Sequence, residues 1–344
     1  MIHTVGIDIG STYTKAICLN ENREVVGTAV RKTGFKIQEA AADVFEKLLQ
    51  NCKLKRSDIT YVSTTGYGRY VVGFRHAQVT ELTAHAQAAT QLFPDTRTIL
   101  DIGGQDIKAV KVDANGRVKA FRLNDKCAAG TGAFLEKTAR YLGITTADIG
   151  PYAQRSTDPK AISSVCAVFA ESEVINHLAN GVPAEDIMMG AMISLGGRAV
   201  QLMRRVGLEP GYMLTGGMTR NVAMVEALEK ALNARFNVAE GDLGQLNGAY
   251  GAAYLGLRRV QQLLKEGKEI PPTADEMGGD EGGEKKIKRR WSAMSLTDQR
   301  FSLAGEDGEC PVVAADAVRG NKPAHRISAD EVKAEAGKTV SAAS

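Results

Sequence analysis

The chain has 344 residues, more than one hydrophobic core usually serves, so its length predicts two domains. Apolar residues make up 44% and charged residues 24%, an ordinary composition for a soluble protein. The net charge of +3 is small for this length and gives no general argument for nucleic acid as a partner. Since no run of about 18 apolar residues occurs, the sequence predicts no membrane span, and its start favours a cytoplasmic protein.

Two segments resemble each other at an offset of 93 residues. Residues 6–25 read GIDIGSTYTKAICLNENREV and residues 99–118 read ILDIGGQDIKAVKVDANGRV. Each copy predicts a strand, a glycine-containing turn, a second strand, an asparagine-containing turn and a third strand. The identical positions are Asp8, Ile9, Gly10, Lys15, Ala16, Asn22 and Val25, which meet Asp101, Ile102, Gly103, Lys108, Ala109, Asn115 and Val118. The chain is therefore predicted to be a duplication at the scale of a domain.

The remaining elements follow from apolar periodicity and from helix start and stop signals. The predicted helices cover residues 38–50, 81–92, 129–142, 167–180, 184–206, 221–234 and 245–265. The predicted strands outside the repeats cover residues 59–63 and 212–215.

This α/β pattern predicts a first lobe over 1–95 and a second lobe over 96–268, followed by a disordered tail over 269–344. The tail contains a basic run over 285–290 that could contact an acidic partner, although a solvated tail is the preferred interpretation.

The turn in each repeat has the chemistry of a phosphate loop. Glycine lets backbone N–H groups approach a phosphate closely, and neighbouring hydroxyls can donate to its oxygens. Asp8 could hold Mg²⁺ through water, because Mg²⁺ keeps several waters and takes few carboxylates. A single Asp-Ile-Gly turn is more often an ordinary hairpin, but its repetition favours two loops that clamp a nucleotide from both sides. The candidate residues are Gly10, Ser11, Thr12 and Lys15 in the first copy and Asp101, Gly103, Gly104, Gln105 and Asp106 in the second.

A third glycine turn follows the strand predicted over 212–215. Gly216 and Gly217 would let a nucleotide lie against bare backbone, and Asn221 could cap the next helix or touch the ligand. A plain strand–helix turn is equally compatible with the sequence. Two phosphate loops followed by a Gly-Gly turn resemble the superfamily of actin, the heat-shock chaperone ATPases and the sugar kinases. The resemblance implies two actin-like lobes with mixed sheets flanked by helices, with ATP and Mg²⁺ in the cleft between them.

Two of the five cysteines, Cys127 and Cys166, lie just before predicted helices. A thiolate there is stabilised by free N–H groups and the helix dipole, and the same setting suits an anionic iron–sulfur cluster. A [4Fe–4S] cluster normally takes four cysteines, so two chains would have to contribute two each. Zinc at a four-cysteine site, or two buried structural cysteines, are the alternatives. Cys18, Cys52 and Cys310 carry no such signal.

Several motifs together resemble the activators of 2-hydroxyacyl-CoA dehydratases and the ATPase subunits of benzoyl-CoA reductase, in the BadF/BadG/BcrA/BcrD ATPase family. They are GIDIGSTYTK, TTGYGR, TELTAHA, LDIGGQDIK, NDKCAAGTGAFLE, ISSVCAVFAESEVI, LTGGMTRN and LNGAYGAAYLG. The resemblance covers residues 4–258 and leaves the tail outside the pattern. It implies that Cys127 and Cys166 are cluster ligands and that the two loops and the glycine turn bind ATP.

The resemblance implies an ATPase that injects one electron at a low potential into an acyl-CoA enzyme. The expected partners are a second copy or a paralogous ATPase subunit, the dehydratase or reductase, and ferredoxin or flavodoxin as donor. Asp8 and Asp106 are the candidates that organise Mg²⁺ and the attacking water. A small-molecule kinase of the same superfamily, and an ATP-dependent assembly or chaperone module without redox chemistry, are the alternatives.

Overall fold

A computed structural model of the chain describes residues 1–124, 131–163 and 167–273. These residues fall within one unit, residues 1–293, and the second unit, residues 294–344, lies outside the described part. The predicted tail is outside it from residue 274 onward.

The first sheet has five strands in the order β3-β2-β1-β4-β5. β1 pairs antiparallel with β2 and parallel with β4, so the sheet is mixed. Every residue of β1 is buried, because helices cover both faces of the central strand. The strands are β1 (His3–Ile9), β2 (Tyr13–Asn20), β3 (Val25–Lys32), β4 (Tyr61–Thr65) and β5 (Ala77–Gln78).

The second sheet repeats this topology, with the order β8-β7-β6-β9-β10 when read in the matching direction. β6 pairs antiparallel with β7 and parallel with β9, just as β1 pairs with β2 and β4. The duplication seen in the sequence is therefore a duplication of the fold. The strands are β6 (Thr98–Ile102), β7 (Ile107–Val112), β8 (Val118–Asn124), β9 (Tyr212–Gly216) and β10 (Asn237–Val238).

Eight helices flank the sheets in the part of the chain that is described. They are α1 (Ile37–Cys52), α2 (Glu81–Leu92), α3 (Gly132–Tyr141), α4 (Ile149–Ala153), α5 (Ala167–Ala179), α6 (Ala184–Val206), α7 (Val222–Leu232) and α8 (Leu243–Lys265). None of the described helices combines the length and apolar character needed to cross a bilayer.

Helix boundaries follow local chemistry. Thr80 caps α2 by accepting a hydrogen bond from the Thr83 N–H at 3.3 Å, and Asn221 caps α7 in the same way through the Met224 N–H at 3.1 Å. The helix predicted over 184–206 is observed with those bounds. The start of the helix predicted over 129–142 falls partly in residues 125–130, outside the described residues.

The last of the described helices, α8, packs against β1, β2, β4 and α2, and so returns to the first sheet after the second sheet is complete. Glycines on both sides of the contact allow this close approach: a Cβ on Gly6 of β1 would lie 1.9 Å from the Ala249 carbonyl oxygen, and one on Gly251 of α8 would lie 1.8 Å from the Ala84 carbonyl oxygen of α2. The Thr4 hydroxyl also donates to the Ala253 carbonyl at 3.1 Å. The first sheet is thus completed by a helix that follows the second sheet in sequence.

We expect Gly251→Ala to lower the free energy of unfolding by about 1–3 kcal/mol or more, because the added methyl group meets backbone and not a mobile side chain. Gly197→Ala in α6 is the matched control. It also replaces a helical glycine, but nothing lies within 4 Å of the new Cβ, so helix propensity should stabilise it by about 0.5–1 kcal/mol. Urea unfolding of both variants measures the difference. Equal effects would show that the contact between α8 and α2 is not tight.

Candidate functional site

The two predicted phosphate loops occupy equivalent places in the two sheets. In the first, the Gly10 N–H donates to the Tyr13 carbonyl at 3.2 Å as β1 turns into β2. In the second, the Gly103 N–H donates to the Asp106 carbonyl at 2.9 Å as β6 turns into β7. Both hairpins therefore close in the same way and present their loop backbones at the same end of each sheet.

These loops contact each other directly. A Cβ on Gly104 would lie 2.3 Å from the Thr12 Oγ1 atom, so the second loop accepts the Thr12 side chain only because residue 104 is a glycine. The two loops are therefore opposite walls of one cleft, the arrangement that clamping a phosphate chain requires.

The cleft has a volume of about 290 Å³ and is lined by both loops and by the glycine turn. It contains every predicted loop residue together with Gly216 and Gly217. The predicted residues in its lining are Asp8, Gly10, Ser11, Thr12, Lys15, Asp101, Gly103, Gly104, Gln105, Asp106, Gly216 and Gly217.

Asn221 is the one predicted nucleotide-site residue outside the cleft lining. It caps α7 instead, and its Oδ1 lies 2.9 Å from the position of a Cβ on Gly150.

Each lobe places an aspartate and a lysine on facing strands. Asp8 and Lys15 are register partners with Nζ and Oδ2 2.9 Å apart, and Asp101 and Lys108 are register partners with Nζ and Oδ2 3.5 Å apart. Burial alone would lower the pKa of Lys15, but the Asp8 carboxylate raises it above its usual value. Both lysines therefore stay protonated at neutral pH.

Lys108 binds more carboxylates than its counterpart. Its Nζ lies 2.6 Å from Asp106 Oδ2 and 3.0 Å from Glu81 Oε2, in addition to Asp101. Burial opposes protonation of Lys108, but these carboxylates raise its pKa well above the ordinary value. Burial raises the pKa of Asp106, an effect that Asp101 reinforces and Lys108 opposes. The Lys108 ammonium group is therefore paired with carboxylates from α2, β6 and the second loop.

Side chains from β9 and α2 hold the Asp101 carboxylate in place. The Thr215 hydroxyl donates to its Oδ1 at 2.8 Å, and His85 Nδ1 lies 3.6 Å from the same atom. Burial would raise the pKa of Asp101, but His85, Lys108 and the Thr215 hydroxyl lower it to about 2. Asp101 is therefore ionised and fixed between β9 and α2.

The turn at the end of β9 requires glycine, both for its backbone conformation and for the space available. Gly216 has a φ of +94°, and a Cβ there would lie 2.2 Å from the Ile102 carbonyl oxygen. The next residues, Gly217–Arg220, form a 3₁₀ turn whose first two members line the cleft. This turn leaves exposed backbone beside the second phosphate loop.

The second loop is also bonded to the start of α3. The Gly132 N–H donates to the Gly103 carbonyl at 3.1 Å, and the Ala133 N–H donates to the Gly104 carbonyl at 2.9 Å. Both donors belong to the first turn of the helix, whose N–H groups have no partner inside it. The backbone of the cleft and the backbone of α3 are therefore one continuous hydrogen-bonded unit.

Cys127 and Cys166 lie in residues 125–130 and 164–166, outside the described residues. The helices that follow them, α3 and α5, pack against each other, and Lys137 Nζ lies 2.5 Å from Glu171 Oε1. Within the described ranges, no group of three or more His, Cys, Asp or Glu side chains could hold a metal ion.

The two cysteines in the described part of the chain are structural. Cys18 is buried in β2 opposite Gly27, and Cys52 at the end of α1 lies over the same glycine, with its Sγ 2.6 Å from the position of a Cβ there. Burial and the neighbouring Cys52 raise the pKa of Cys18 to about 12. Burial also raises the pKa of Cys52. Protonated thiols of this kind are poor metal ligands.

Sequence reasoning missed several residues of the cleft: Tyr13, Tyr67, Glu81, His85, Ile102, Lys108, Gly132, Met218 and Gln245. All of them except Gln245 lie in the quoted motifs, and the signal was clearest for three. Lys108 repeats Lys15 at the offset of 93, and Glu81 and His85 belong to the TELTAHA motif at a spacing that places both on one helix face.

Duplicated mixed sheets, flanking helices and a cleft lined by two equivalent glycine loops define an actin-like fold. The chain belongs to the BadF/BadG/BcrA/BcrD ATPase family, whose model matches residues 5–256. The motif resemblance is therefore confirmed, and the protein is an ATPase of this family.

Named relatives cover the same region. The chain is 39% identical to the 2-hydroxyisocaproyl-CoA dehydratase activator of Clostridioides difficile, over 78% of this chain and 100% of the relative. It is 35% identical to a subunit of benzoyl-CoA reductase from Thauera aromatica, over 78% of this chain and 98% of the relative. The solved structure of the Clostridium difficile activator with bound ADPNP superposes with a TM-score of 0.74 at 38% identity, covering 78% of this chain and 100% of that one.

Gly104→Ala should weaken binding of a non-hydrolysable ATP analogue with Mg²⁺ about tenfold, because the new methyl group forces Thr12 and the first loop away. Thr12→Ala removes the obstructing hydroxyl, so the double variant should lose less affinity than the two single losses combined. Calorimetric titration of the three variants and the parent measures this coupling. Strictly additive losses would contradict direct contact between the loops.

Proposed function

We propose that this ATPase couples nucleotide hydrolysis to one-electron reduction of an acyl-CoA enzyme, as an activator of a 2-hydroxyacyl-CoA dehydratase or an ATPase subunit of a benzoyl-CoA reductase. The names of the relatives support this class of partner. One relative is named as a dehydratase activator and the other as part of a reductase, and both are matched over almost their whole length.

The observation that carries the proposal is the pair of hydrogen bonds between the second phosphate loop and α3. Gly103 and Gly104 accept from the first N–H groups of the helix that follows Cys127. Any movement of this loop on binding or losing a γ-phosphate is transmitted to α3 without an intervening side chain. Through the contact of Lys137 with Glu171, the movement extends to α5, which follows Cys166. Nucleotide state is thereby coupled to the two helices that follow the cysteines in sequence.

The charges of the cleft support a requirement for Mg²⁺. Its lining contains the four carboxylates Asp8, Glu81, Asp101 and Asp106 but only two lysines among the described residues, Lys15 and Lys108. A polyphosphate entering this site would meet a surplus of negative charge, so a divalent cation has to accompany it. We assign Asp8 and Asp106 to the hydration shell of Mg²⁺.

The remaining cleft residues bind different parts of the nucleotide. Ser11 and Thr12 donate hydroxyl hydrogen bonds to phosphate oxygens, and Gly104 and Gln105 offer backbone N–H groups from the facing loop. Gly216 and Gly217 provide bare backbone for the adenosine portion. Hydrolysis removes the phosphate that holds both loops, so the lobes respond to the γ-phosphate by opening or closing.

Cys127 and Cys166 of each of two chains would hold one [4Fe–4S] cluster, which supplies one-electron transfer when bound. Two thiols per chain, each followed by a helix, suit a cluster that is shared between subunits but not a complete site within one chain. The second subunit is another copy or a paralogue, the electron donor is ferredoxin or flavodoxin, and the acceptor is the acyl-CoA enzyme.

Anaerobically purified protein, reconstituted with iron and sulfide, should be brown and contain about four iron atoms per dimer, as expected for one shared cluster. Cys127→Ser with Cys166→Ser should abolish both the colour and the dimer-bound iron. Cys52→Ser, which alters a cysteine packed over Gly27, is the matched control and should keep both. Iron analysis and electron paramagnetic resonance after dithionite reduction measure the outcome. Colour that survives the double substitution would refute the assignment.

Coupling is tested by Ala133→Pro, which deletes the N–H that donates to Gly104 while placing proline in the first helical turn, where it is tolerated. We expect ATP hydrolysis to persist while the nucleotide-dependent change in the spectrum of the reduced cluster is lost. Ala133→Ser retains the N–H and should behave like the parent. A full spectral response in the proline variant would show that the loop acts through another route.

A further inference from the structure

The cleft contains a carboxylate that differs from its neighbours in how it is held. Asp8 is bound by Lys15 at 2.9 Å and Asp101 by the Thr215 hydroxyl at 2.8 Å, and their side chains are only 8% and 7% exposed. Neither can turn to take a proton from an attacking water without breaking its own ion pair or hydrogen bond. The two deep aspartates are therefore fixed in the cleft floor, where Asp8 can bond to the water shell of Mg²⁺ without moving.

Asp106 is folded back onto its own loop. Its Oδ2 lies 2.6 Å from Lys108 Nζ, and its Oδ1 lies 2.5 Å from the position of a Cβ on Gly103. A carboxylate in this conformation shapes the second phosphate loop and moves with that loop. It suits the hydration shell of a cation better than the role of a general base, which needs a fixed orientation toward the attacking water.

Glu81 enters the cleft from a different element. It is the first residue of α2, it contacts Lys108 Nζ through Oε2 at 3.0 Å, and its side chain is 23% exposed within the cleft lining. The shared lysine places Glu81 beside Asp106 and therefore next to the second phosphate loop. Among the described carboxylates that line the cleft, it is the one that is neither buried in the floor nor part of a phosphate loop.

The helix that carries Glu81 is rigidly seated. One turn further along the same face, His85 Nδ1 lies 3.1 Å from Asn247 Nδ2 of α8 and 3.4 Å from the Thr215 hydroxyl of β9. Ala84 backbone packs directly on Gly251 of α8. A group on such a helix keeps its position while the two loops rearrange around a nucleotide.

We propose that Glu81 is the catalytic carboxylate of ATP hydrolysis, and that Lys108 is the positioning residue that aims it. Glu81 orients a water molecule whose oxygen bonds to the γ-phosphorus of ATP. The bond from that phosphorus to the β–γ bridging oxygen breaks, and its electron pair stays on ADP. The water proton passes to the Glu81 carboxylate and then to solvent, leaving ADP and inorganic phosphate. The proposal concerns the ATPase step alone and does not depend on the cluster.

The test compares two helix-start glutamates that are both paired with lysine. Glu81→Gln should lower kcat for MgATP hydrolysis at least about 100-fold, while the Kd for MgADPNP changes less than about threefold. Glu39→Gln is the matched control, because Glu39 lies in the first turn of α1 and pairs with Lys36 at 2.8 Å on the exposed surface. It should leave both constants unchanged. Radiolabelled phosphate release and calorimetry provide the measurements.

Two results would overturn the proposal: a kcat for Glu81→Gln within about fivefold of the parent, or a loss of affinity that matches the loss of kcat. Glu81→Asp keeps the charge but withdraws the carboxylate by one methylene group, so it should lower kcat about tenfold or more without changing affinity. It decides the question if the glutamine variant does not fold, since a fully active aspartate variant would also refute the role. A parent protein that binds ATP but releases no phosphate would instead contradict the ATPase itself.

Discussion

The close packing of α8 on the first sheet is the constraint on which the rest of the structure depends. Backbone meets backbone at Gly6 of β1, and the same helix packs equally closely on α2 at Gly251, so neither position could accommodate a side chain. The same helix brings Gly248 against Asp8 Oδ2 and His85 Nε2, at 3.0 and 3.1 Å from the position of a Cβ on that glycine. The floor of the cleft is therefore set by a helix of which only Gln245, among the described residues, lines the cleft.

Because of the duplication, the cleft has two similar walls. The walls differ in their ion pairs and in the residues of their loops. In the first lobe Lys15 pairs with Asp8, whereas in the second Lys108 pairs with Asp101, Asp106 and Glu81. Hydroxyls follow the glycine in the first loop, and Gly104 and Gln105 follow it in the second. The first loop therefore places side-chain hydroxyls in the cleft lining, and the second is hydrogen-bonded to α3.

The sequence predicted the features that depend on local pattern. The alternation of apolar residues and the turn residues located the repeats. Helical periodicity of the apolar residues, together with start and stop signals, located α2 and α6 at the observed bounds. The division into lobes at residues 95 and 268, the roles of the site residues and the cluster cysteines stay predictions.

What could not be predicted depends on contacts between distant residues. Nothing in the pattern of α8 distinguishes packing on the first sheet from packing on the second, because its small residues suit either. The ion pair between Glu81 and Lys108 likewise depends on tertiary packing, because it forms only when α2 lies beside the second sheet. Asn221 had two possible roles in the sequence, and its cap of α7 is the one that the structure describes.

The return of α8 also has a consequence for biosynthesis. The Thr4 hydroxyl finds its partner in Ala253, 249 residues later, so β1 leaves the ribosome long before the helix that covers it exists. At ordinary elongation rates the interval is roughly 10 to 50 seconds. During that time one face of a fully buried strand has no native cover, which exposes the nascent chain to aggregation. Because α8 closes the first sheet, the early strands stay without their native cover until that helix has emerged from the ribosome.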